Sequence, residues 1–249
     1  MQKSDYIEFE KPKLKIPILF ENRTIIILDK PPFWLLAPSH WQHTSRNLQA
    51  ALENSIIKGD YWARSRNLKY IRFIHRLDAD TSGLLIFSKN PGAIQSYNKL
   101  FVNNLIHKTY AVVVKPPPDW NELLCYMPLS QSKSKMLIDP LNGKPAETRF
   151  KLLKIKNNKA LLQAKPITGR THQIRVHLAA LGNPVIDDII YGVNKNVQAE
   201  KYPLALRSAR LIFKDPFEKN LVDVKASLED FLFNYGFETS DWKWTSDYP

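Results

Sequence analysis

The 249-residue sequence predicts an α+β fold: a largely antiparallel mixed sheet with flanking helices. Short β-branched runs such as Thr24–Leu28 and Tyr110–Val114 recur and are cut off by prolines or polar loops. Helical spacings occur in only a few places between them. Strands and helices mix without a regular βαβ alternation, which argues against a parallel doubly wound sheet.

Residues 1–17, with Lys11, Lys13 and Lys15 around Pro12 and Pro17, read as an extended basic arm, and 18–249 as a single domain. The run from Phe20 to Leu28 predicts a buried strand, ended by Lys30-Pro31-Pro32. Leu48, Ala51, Leu52 and Ile56 give a helix over 47–57. Tyr70–Ile74 and Leu84–Phe87 read as strands around a polar loop, His75–Gly83. Asn90 followed by Pro91 opens a helix, whose apolar face is Ile94, Tyr97, Phe101 and Leu105. The next strand, Tyr110–Val114, stops at Pro116-Pro117-Pro118. The stretch 116–146 reads as loop-rich, with a flexible basic segment at 130–135. Strands follow at Thr148–Ile155 and Ala160–Pro166, then a helix over about 171–181 stopped by Gly182. Ala209–Phe213 is a further strand, and Ser227 caps a helix with the stripe Leu228, Phe231, Leu232 and Tyr235.

Composition narrows the function. Lysine and arginine total 36 against 24 acids, a net charge of +12. The excess is uneven: seven acids against three lysines give −4 over Phe217–Pro249, so the residues before carry +16. Such a surface attracts a polyanion, and nucleic acid leads the candidates. A single cysteine, Cys125, excludes an internal disulfide and a Cys-rich zinc site. No apolar run suits a membrane span. The opening Met1-Gln2-Lys3-Ser4-Asp5 leads into charged sequence rather than a secretory apolar region. The setting expected is cytoplasmic, and the assembly state a monomer.

Two segments concentrate chemistry. The loop His75-Arg76-Leu77-Asp78-Ala79-Asp80-Thr81-Ser82-Gly83 packs two carboxylates, a histidine, an arginine and two hydroxyls between apolar strands. That density is costly beside a core unless the groups satisfy one another; a turn organised by Asp and Ser hydrogen bonds reads equally well. The second segment is Thr168-Gly169-Arg170-Thr171-His172-Gln173-Ile174-Arg175-Val176-His177-Leu178. On a helix, Ile174 and Leu178 face the core while His172, Arg175 and Ala179 share a neighbouring stripe. An arginine there can pair with a carboxylate in a cleft and keep it ionised; a basic outer face is the plainer reading.

The loop from His75 to Leu84 resembles the signature loop of RluA-type pseudouridine synthases. Lys108-Thr109-Tyr110 resembles the family's K-x-Y strand. The stretch Thr168–Gly182, followed by Asp188 and Tyr191-Gly192, is similar to its third block, and Ile18–Glu21 through Lys30-Pro31 to its opening strand. The ordered resemblance runs from about residue 18 to 217. It implies the pseudouridine synthase catalytic fold and an isomerase (an intramolecular transferase) acting on specific uridines of tRNA or rRNA, without cofactor or metal. Asp78 would be the catalytic carboxylate, Arg175 its salt-bridge partner, and Tyr110 would stack on the flipped base. Arg76 would fill the vacated space or hold the backbone, while Arg170, His172 and His75 would shape the pocket or contact RNA. Three positions depart from the family pattern: Phe33 and Asp187 replace glycines, and Leu206-Arg207-Ser208 stands for leucine-histidine-alanine. No room remains before residue 18 for the small RNA-binding domain many relatives carry, so the catalytic domain itself is expected to hold RNA.

Other chemistries lack their signatures. There is no G-x-S-x-G elbow for a serine hydrolase, and His172 and His177 are five apart without the glutamate of a zinc protease. Neither a Walker A loop nor a dinucleotide fingerprint occurs. An RNA-binding protein without catalysis is the remaining alternative. Trp34, Trp41, Tyr61 and Trp62 sit near Arg46, Arg64, Arg66, Lys69 and Arg72, so the stretch 41–72 is a candidate for choosing the RNA.

Overall fold

The computed structural model describes residues 3–9, 13–36, 46–133, 135–192 and 203–244. The chain forms two compact units, Met1–Leu105 with Lys214–Ala226, and Ile106–Phe213 with Ser227–Pro249.

The first unit is built on β1 (Tyr6–Phe9), β2 (Leu14–Glu21), β3 (Ile25–Lys30), β4 (Arg72–Phe73) and β5 (Ser82–Ser88). The order β1-β2-β3-β5 is antiparallel throughout, and β4 also pairs with β5. Ile25–Leu28 and Leu84–Phe87 are fully buried, as their continuous apolar runs require. Part of the stretch read as an arm is paired: Tyr6–Phe9 lies against Leu14–Pro17, with Ile7 buried between exposed Tyr6 and Glu8. Helix α1 (Leu48–Lys58) starts on Asn47, whose side chain accepts the Ala50 N–H, and ends at Gly59 in the left-handed region. The short α2 (Tyr61–Arg64) follows. Helix α3 (Ile94–Val102) is entered through one 3-10 turn, Pro91–Ala93, capped by Asn90. It stops before Leu105, which is half exposed, because Asn104 turns into the left-handed region.

Several aromatic and basic residues between 34 and 72 belong to this core. Trp34 and Trp62 are buried, and the Trp62 indole donates to Ser55 Oγ at 2.7 Å. Arg66 is enclosed, with its Nε 2.8 Å from Glu21. Arg46, Tyr61, Arg64, Lys69 and Arg72 remain exposed, and Trp41 lies outside the described residues. The returning segment is locked by buried Asp215, which accepts Tyr97 Oη at 2.6 Å and Asn22 Nδ2 at 2.9 Å.

The second unit carries β6 (His107–Val114), β7 (Glu122–Tyr126), β10 (Glu147–Lys156), β11 (Lys159–Pro166) and β12 (Leu206–Lys214) in the antiparallel order β12-β6-β11-β10-β7. Two more strands, β8 (Leu129–Ser132) and β9 (Lys135–Ile138), form a separate hairpin. The region 116–146 is therefore more ordered than the loop expected there. Met136 and Ile138 alternate with exposed Leu137 and pack on Leu129, Ala146, Val176 and Tyr191, so one apolar face holds a hairpin whose sequence is otherwise polar. Helix α4 (Gln173–Ala180) is shorter than expected at both ends. Helix α5 (Glu229–Tyr235) buries Phe231, Leu232 and Tyr235. The acidic segment after it pairs with basic β10, Asp241 with Lys154 and Glu238 with Lys156. Together these elements make the expected α+β fold with a mostly antiparallel sheet.

Candidate active site

In the first unit, the segment His75–Thr81 leaves the end of the strand region and returns into β5. The Ile74 N–H bonds to Ile86 O at 2.9 Å, and the Ile86 N–H donates to His75 Nε2 at 3.1 Å. The His75 ring also stacks on Phe101 with centroids 4.7 Å apart. His75 thus anchors the loop to β5 by its Nε2. Beyond it Arg76 is exposed, Leu77 is buried and Asp78 is half-buried, so the apolar Leu77 pins the loop between more accessible neighbours. The Thr81 N–H closes a turn onto Asp78 O at 3.2 Å. The Thr81 hydroxyl, by contrast, is buried without a hydrogen-bond partner.

A residue with no role assigned from sequence completes this arrangement. Lys30, at the end of β3, is fully buried, and its Nζ donates to Pro31 O, Trp34 O and Ala79 O at 2.9, 3.0 and 2.8 Å. Three carbonyls match the three hydrogens of an ammonium. Burial pushes the amine down to about 7, while the Asp80 and Asp78 carboxylates pull the other way. Lys30 ties the backbone next to Asp78 to the sheet. The bend that brings Trp34 O to it passes through Phe33 at φ 65°, a left-handed conformation that explains the family's glycine at this place.

In the second unit, Tyr110 lies on β6, 8% exposed, opposite Ala164 and Ser208. Lys108, two residues earlier and so on the same face, is pushed down to about 8 by burial, with Nζ 3.4 Å from Thr168 O. Gln173 organises the approach to α4. Its Oε1 accepts the Arg170 N–H and the Thr168 hydroxyl, and its Nε2 donates to Glu147 O and Thr148 Oγ1. Arg170 is exposed and reaches Pro145 O at 3.0 Å.

The stripe expected from His172 and Arg175 takes a different form. His172 precedes the helix at φ 53°, and Arg175 is not on an outer basic face but 2% exposed. Its Nε and Nη2 form a two-point pair with Asp188, at 2.7 and 2.8 Å. Asp188 Oδ1 also accepts the N–H groups of Ile190 and Tyr191. Burial pushes the Asp188 carboxyl up, but the Arg175 pair and these N–H groups outweigh it and hold the group below its ordinary value. Gly192 lets the turn close: a Cβ there would collide with Asp188 O. Asp187, the other residue standing for a family glycine, has φ 62°. The need for Asp188 was readable in principle, since an arginine inside a helix's buried face requires a buried carboxylate.

The Asp78 loop and Lys30 thus lie in the first unit, and Tyr110, Arg170, His172 and Arg175 in the second. Among the described residues no cluster of side chains suits a metal ion, and no helix is long and apolar enough to cross a membrane.

This fold, and the motif blocks it carries, define an RNA-modifying isomerase. A sequence profile of the RNA pseudouridylate synthase family matches residues 24–180. The chain is 34% identical over 226 residues to the ribosomal large subunit pseudouridine synthase C of Vibrio parahaemolyticus, covering 88% of this chain and 68% of that protein. It is 30% identical over 251 residues to the ribosomal large subunit pseudouridine synthase D of Borreliella burgdorferi, covering 94% and 73%. An uncharacterized RNA pseudouridine synthase of Mycoplasma genitalium is 29% identical over 231 residues, covering 91% and 71%. The solved structure of human RNA Pseudouridylate Synthase Domain Containing 1 has the same fold, with TM-score 0.67 and 24% identity over 85% of this chain and 83% of that one. The chain belongs to the RluA-type RNA pseudouridine synthase family.

Proposed function

We propose that the protein converts specific uridines of rRNA or tRNA to pseudouridine, with Asp78 as the catalytic carboxylate. The observation that carries this reading is the Asp78 loop itself: a half-buried carboxylate beside an exposed arginine, on a backbone anchored by His75 and Lys30. Ribosomal RNA is the first substrate to test, given the names of the relatives in Vibrio and Borreliella.

In this reading the target uridine leaves its stack and Asp78 attacks it. The C1′–N1 bond breaks, the freed uracil turns, a C1′–C5 bond forms, and the bond made to Asp78 breaks so that the carboxylate is regenerated. The proton on C5 is lost and one is gained on N1, so the net change is an isomerisation. Arg175 supports the charged form of Asp78. The Tyr110 ring stacks on the base and assists proton removal. Arg76 enters the space the base leaves, Arg170 and His172 contact the RNA around the pocket, and His75 acts through the loop.

The test is nucleotide-resolution pseudouridine mapping of unmodified rRNA and tRNA after incubation with the purified protein or with Asp78→Ala. Sites made by the parent and absent with Asp78→Ala are expected, and they name the substrate. RNA binding without any new pseudouridine would favour the binding-only alternative.

A further inference from the structure

In the first unit, at the end of the sheet away from the Asp78 loop, an open pocket of about 590 Å³ is lined by Lys3, Glu21, Asn22, Arg23, Lys89 and Glu218. Lys89 follows β5 directly and Asp78 precedes it, so the length of that strand, roughly 20 Å, separates them. Four cations meet here against two carboxylates. Glu21 Oε1 receives Lys3 Nζ at 3.4 Å and Lys89 Nζ at 2.7 Å, and Glu21 Oε2 receives Arg66 Nε at 2.8 Å. Arg23 is the fourth cation, and the exposed Glu218 is the second carboxylate.

Burial pushes the Glu21 carboxyl up, but Lys89 and Arg66 outweigh it and hold the group below its ordinary value. One carboxylate therefore serves three cations. The two ammoniums that share its Oε1 lie at most about 6 Å apart, a spacing at which like charges repel and a further anion relieves them. Arg66 is already satisfied, since its Nη1 and Nη2 donate to Trp62 O and Ser4 O. Lys89 is not. Its ammonium has three hydrogens and, among the described residues, one protein acceptor, Glu21 Oε1. The walls are fixed before any ligand arrives. Asn22 Oδ1 accepts the Thr24 and Ile25 N–H groups, which closes the β2–β3 turn and sets exposed Arg23 at its tip. The Lys89 N–H donates to Thr24 O at 2.8 Å. Asn22 Nδ2 donates to Asp215, whose Oδ1 in turn accepts the Glu218 N–H.

We propose that this pocket takes a phosphate of the RNA backbone, with Lys89, Lys3 and Arg23 as its donors and Glu21, braced by Arg66, gathering the two lysines. A phosphate brings several acceptor oxygens and a negative charge, so it meets both the remaining hydrogens of Lys89 and the excess of positive charge. Such a contact reads no base. It fixes how a folded RNA lies while the uridine is taken roughly 20 Å away. The identity of the polyanion rests on the proposed function; the affinity of the pocket for phosphate does not.

Inorganic phosphate tests the pocket without any RNA. NMR of the lysine and arginine side chains, with ionic strength held constant by sodium chloride, follows the parent protein as phosphate is added. The Lys89 and Arg23 signals, identified by comparison with Lys89→Gln and Arg23→Gln, should move along one saturable curve. Signals that stay in place, or drift without saturating, would overturn the proposal.

Binding of a fluorescent, uridine-containing RNA hairpin tests the source of the phosphate. Arg23→Gln, at an exposed turn, and Lys89→Gln should each bind it about three- to tenfold more weakly than the parent, and the slope of log Kd against log salt should shrink by about 1. Glu218→Gln removes a negative charge from the lining and should bind about twofold more tightly. Lys99→Gln removes an exposed charge outside the pocket and should change neither affinity nor slope. Equal losses in Arg23→Gln, Lys89→Gln and Lys99→Gln would mean that net charge alone acts, against the proposal. Saturable phosphate binding with RNA affinity unchanged in both pocket variants would assign the pocket to a free phosphate compound and overturn its part in holding RNA. None of these measurements needs a turnover, so a protein that makes no pseudouridine loses its proposed function while the pocket is judged separately.

Discussion

Lys30 in the first unit and Arg175 in the second are both cations no more than 2% exposed, and the protein satisfies them by different means. Lys30 spends its three hydrogens on three backbone carbonyls, one of them belonging to the residue after Asp78. Arg175 gives one edge of its planar fork to the Asp188 carboxylate and lays its face on Tyr191. A lysine is a compact charge that can gather strands of backbone; an arginine has a fixed shape that a carboxylate and a ring can orient. The difference matches the tasks: one cation holds a loop in place, and the other holds its own direction.

Breaking the Arg175 side should have the larger effect. Asp188→Ala breaks a buried, two-point ion pair by removing one partner, which costs about 3–5 kcal/mol. It also frees the N–H groups of Ile190 and Tyr191. Urea unfolding should show this loss, and a change below about 1 kcal/mol would mean the pair matters little. On the other side, Lys30→Met removes a charge together with its three bonds, so no unpaired cation remains. One buried and two part-buried carbonyls then lose their donor, and a loss of about 2–3 kcal/mol is expected. Stability equal to the parent would show that Lys30 is not the anchor of the Asp78 loop.

His177, two residues beyond Arg175 on α4, sharpens the comparison because it is buried and kept neutral. Nε2 lies 3.0 Å from Met127 O and Nδ1 3.1 Å from Thr148 Oγ1, which already accepts Gln173 Nε2 and so offers its hydrogen to the ring. Burial holds the folded value below the ordinary 6.5. Between those values the unfolded chain binds more protons, so the contribution is present above 6.5 and is lost as the pH falls through the folded value. Urea midpoints should therefore drop between about pH 7.5 and about pH 5.5, and His177→Gln should lessen that drop. An identical pH dependence in the variant would contradict this account of His177.

The smallest effect is expected at Ser208, opposite Tyr110, whose hydroxyl is buried without a partner. Ser208→Ala, which restores the residue usual in the family, should raise stability by up to about 1 kcal/mol in the same assay. A loss instead would mean that the hydroxyl is used.

Much of this was readable from local pattern. The central strands announced themselves by unbroken apolar runs such as Leu84–Phe87 and Tyr110–Val114, and Asn47, Asn90 and Gly182 marked helix ends as expected. Two short strands with one wet face were missed. Leu221–Lys225 buries Val222 and Val224 alone, and β9 buries Met136 and Ile138 between polar neighbours. Such alternation over a few residues is weak without knowledge of what covers the face. At the site, the resemblance located the motif blocks, but Asp188 as the partner of Arg175, Lys30 as a loop anchor and Tyr191 against His172 required coordinates. Each links residues whose meeting depends on how distant segments pack. The glycine departures at Phe33 and Asp187 were visible as anomalies, and their positive φ angles supply the physical reason.

The central claim is that Asp78 carries the reaction, and Asp78→Asn tests it most directly. Asparagine keeps the size and one hydrogen-bond acceptor of the side chain but cannot attack as a carboxylate. Single-turnover assays on the RNA identified by mapping, with RNA affinity measured alongside, should show no pseudouridine while affinity stays within about threefold of the parent. Pseudouridine formed by Asp78→Asn at the parent's rate would contradict the account and assign the chemistry to another group.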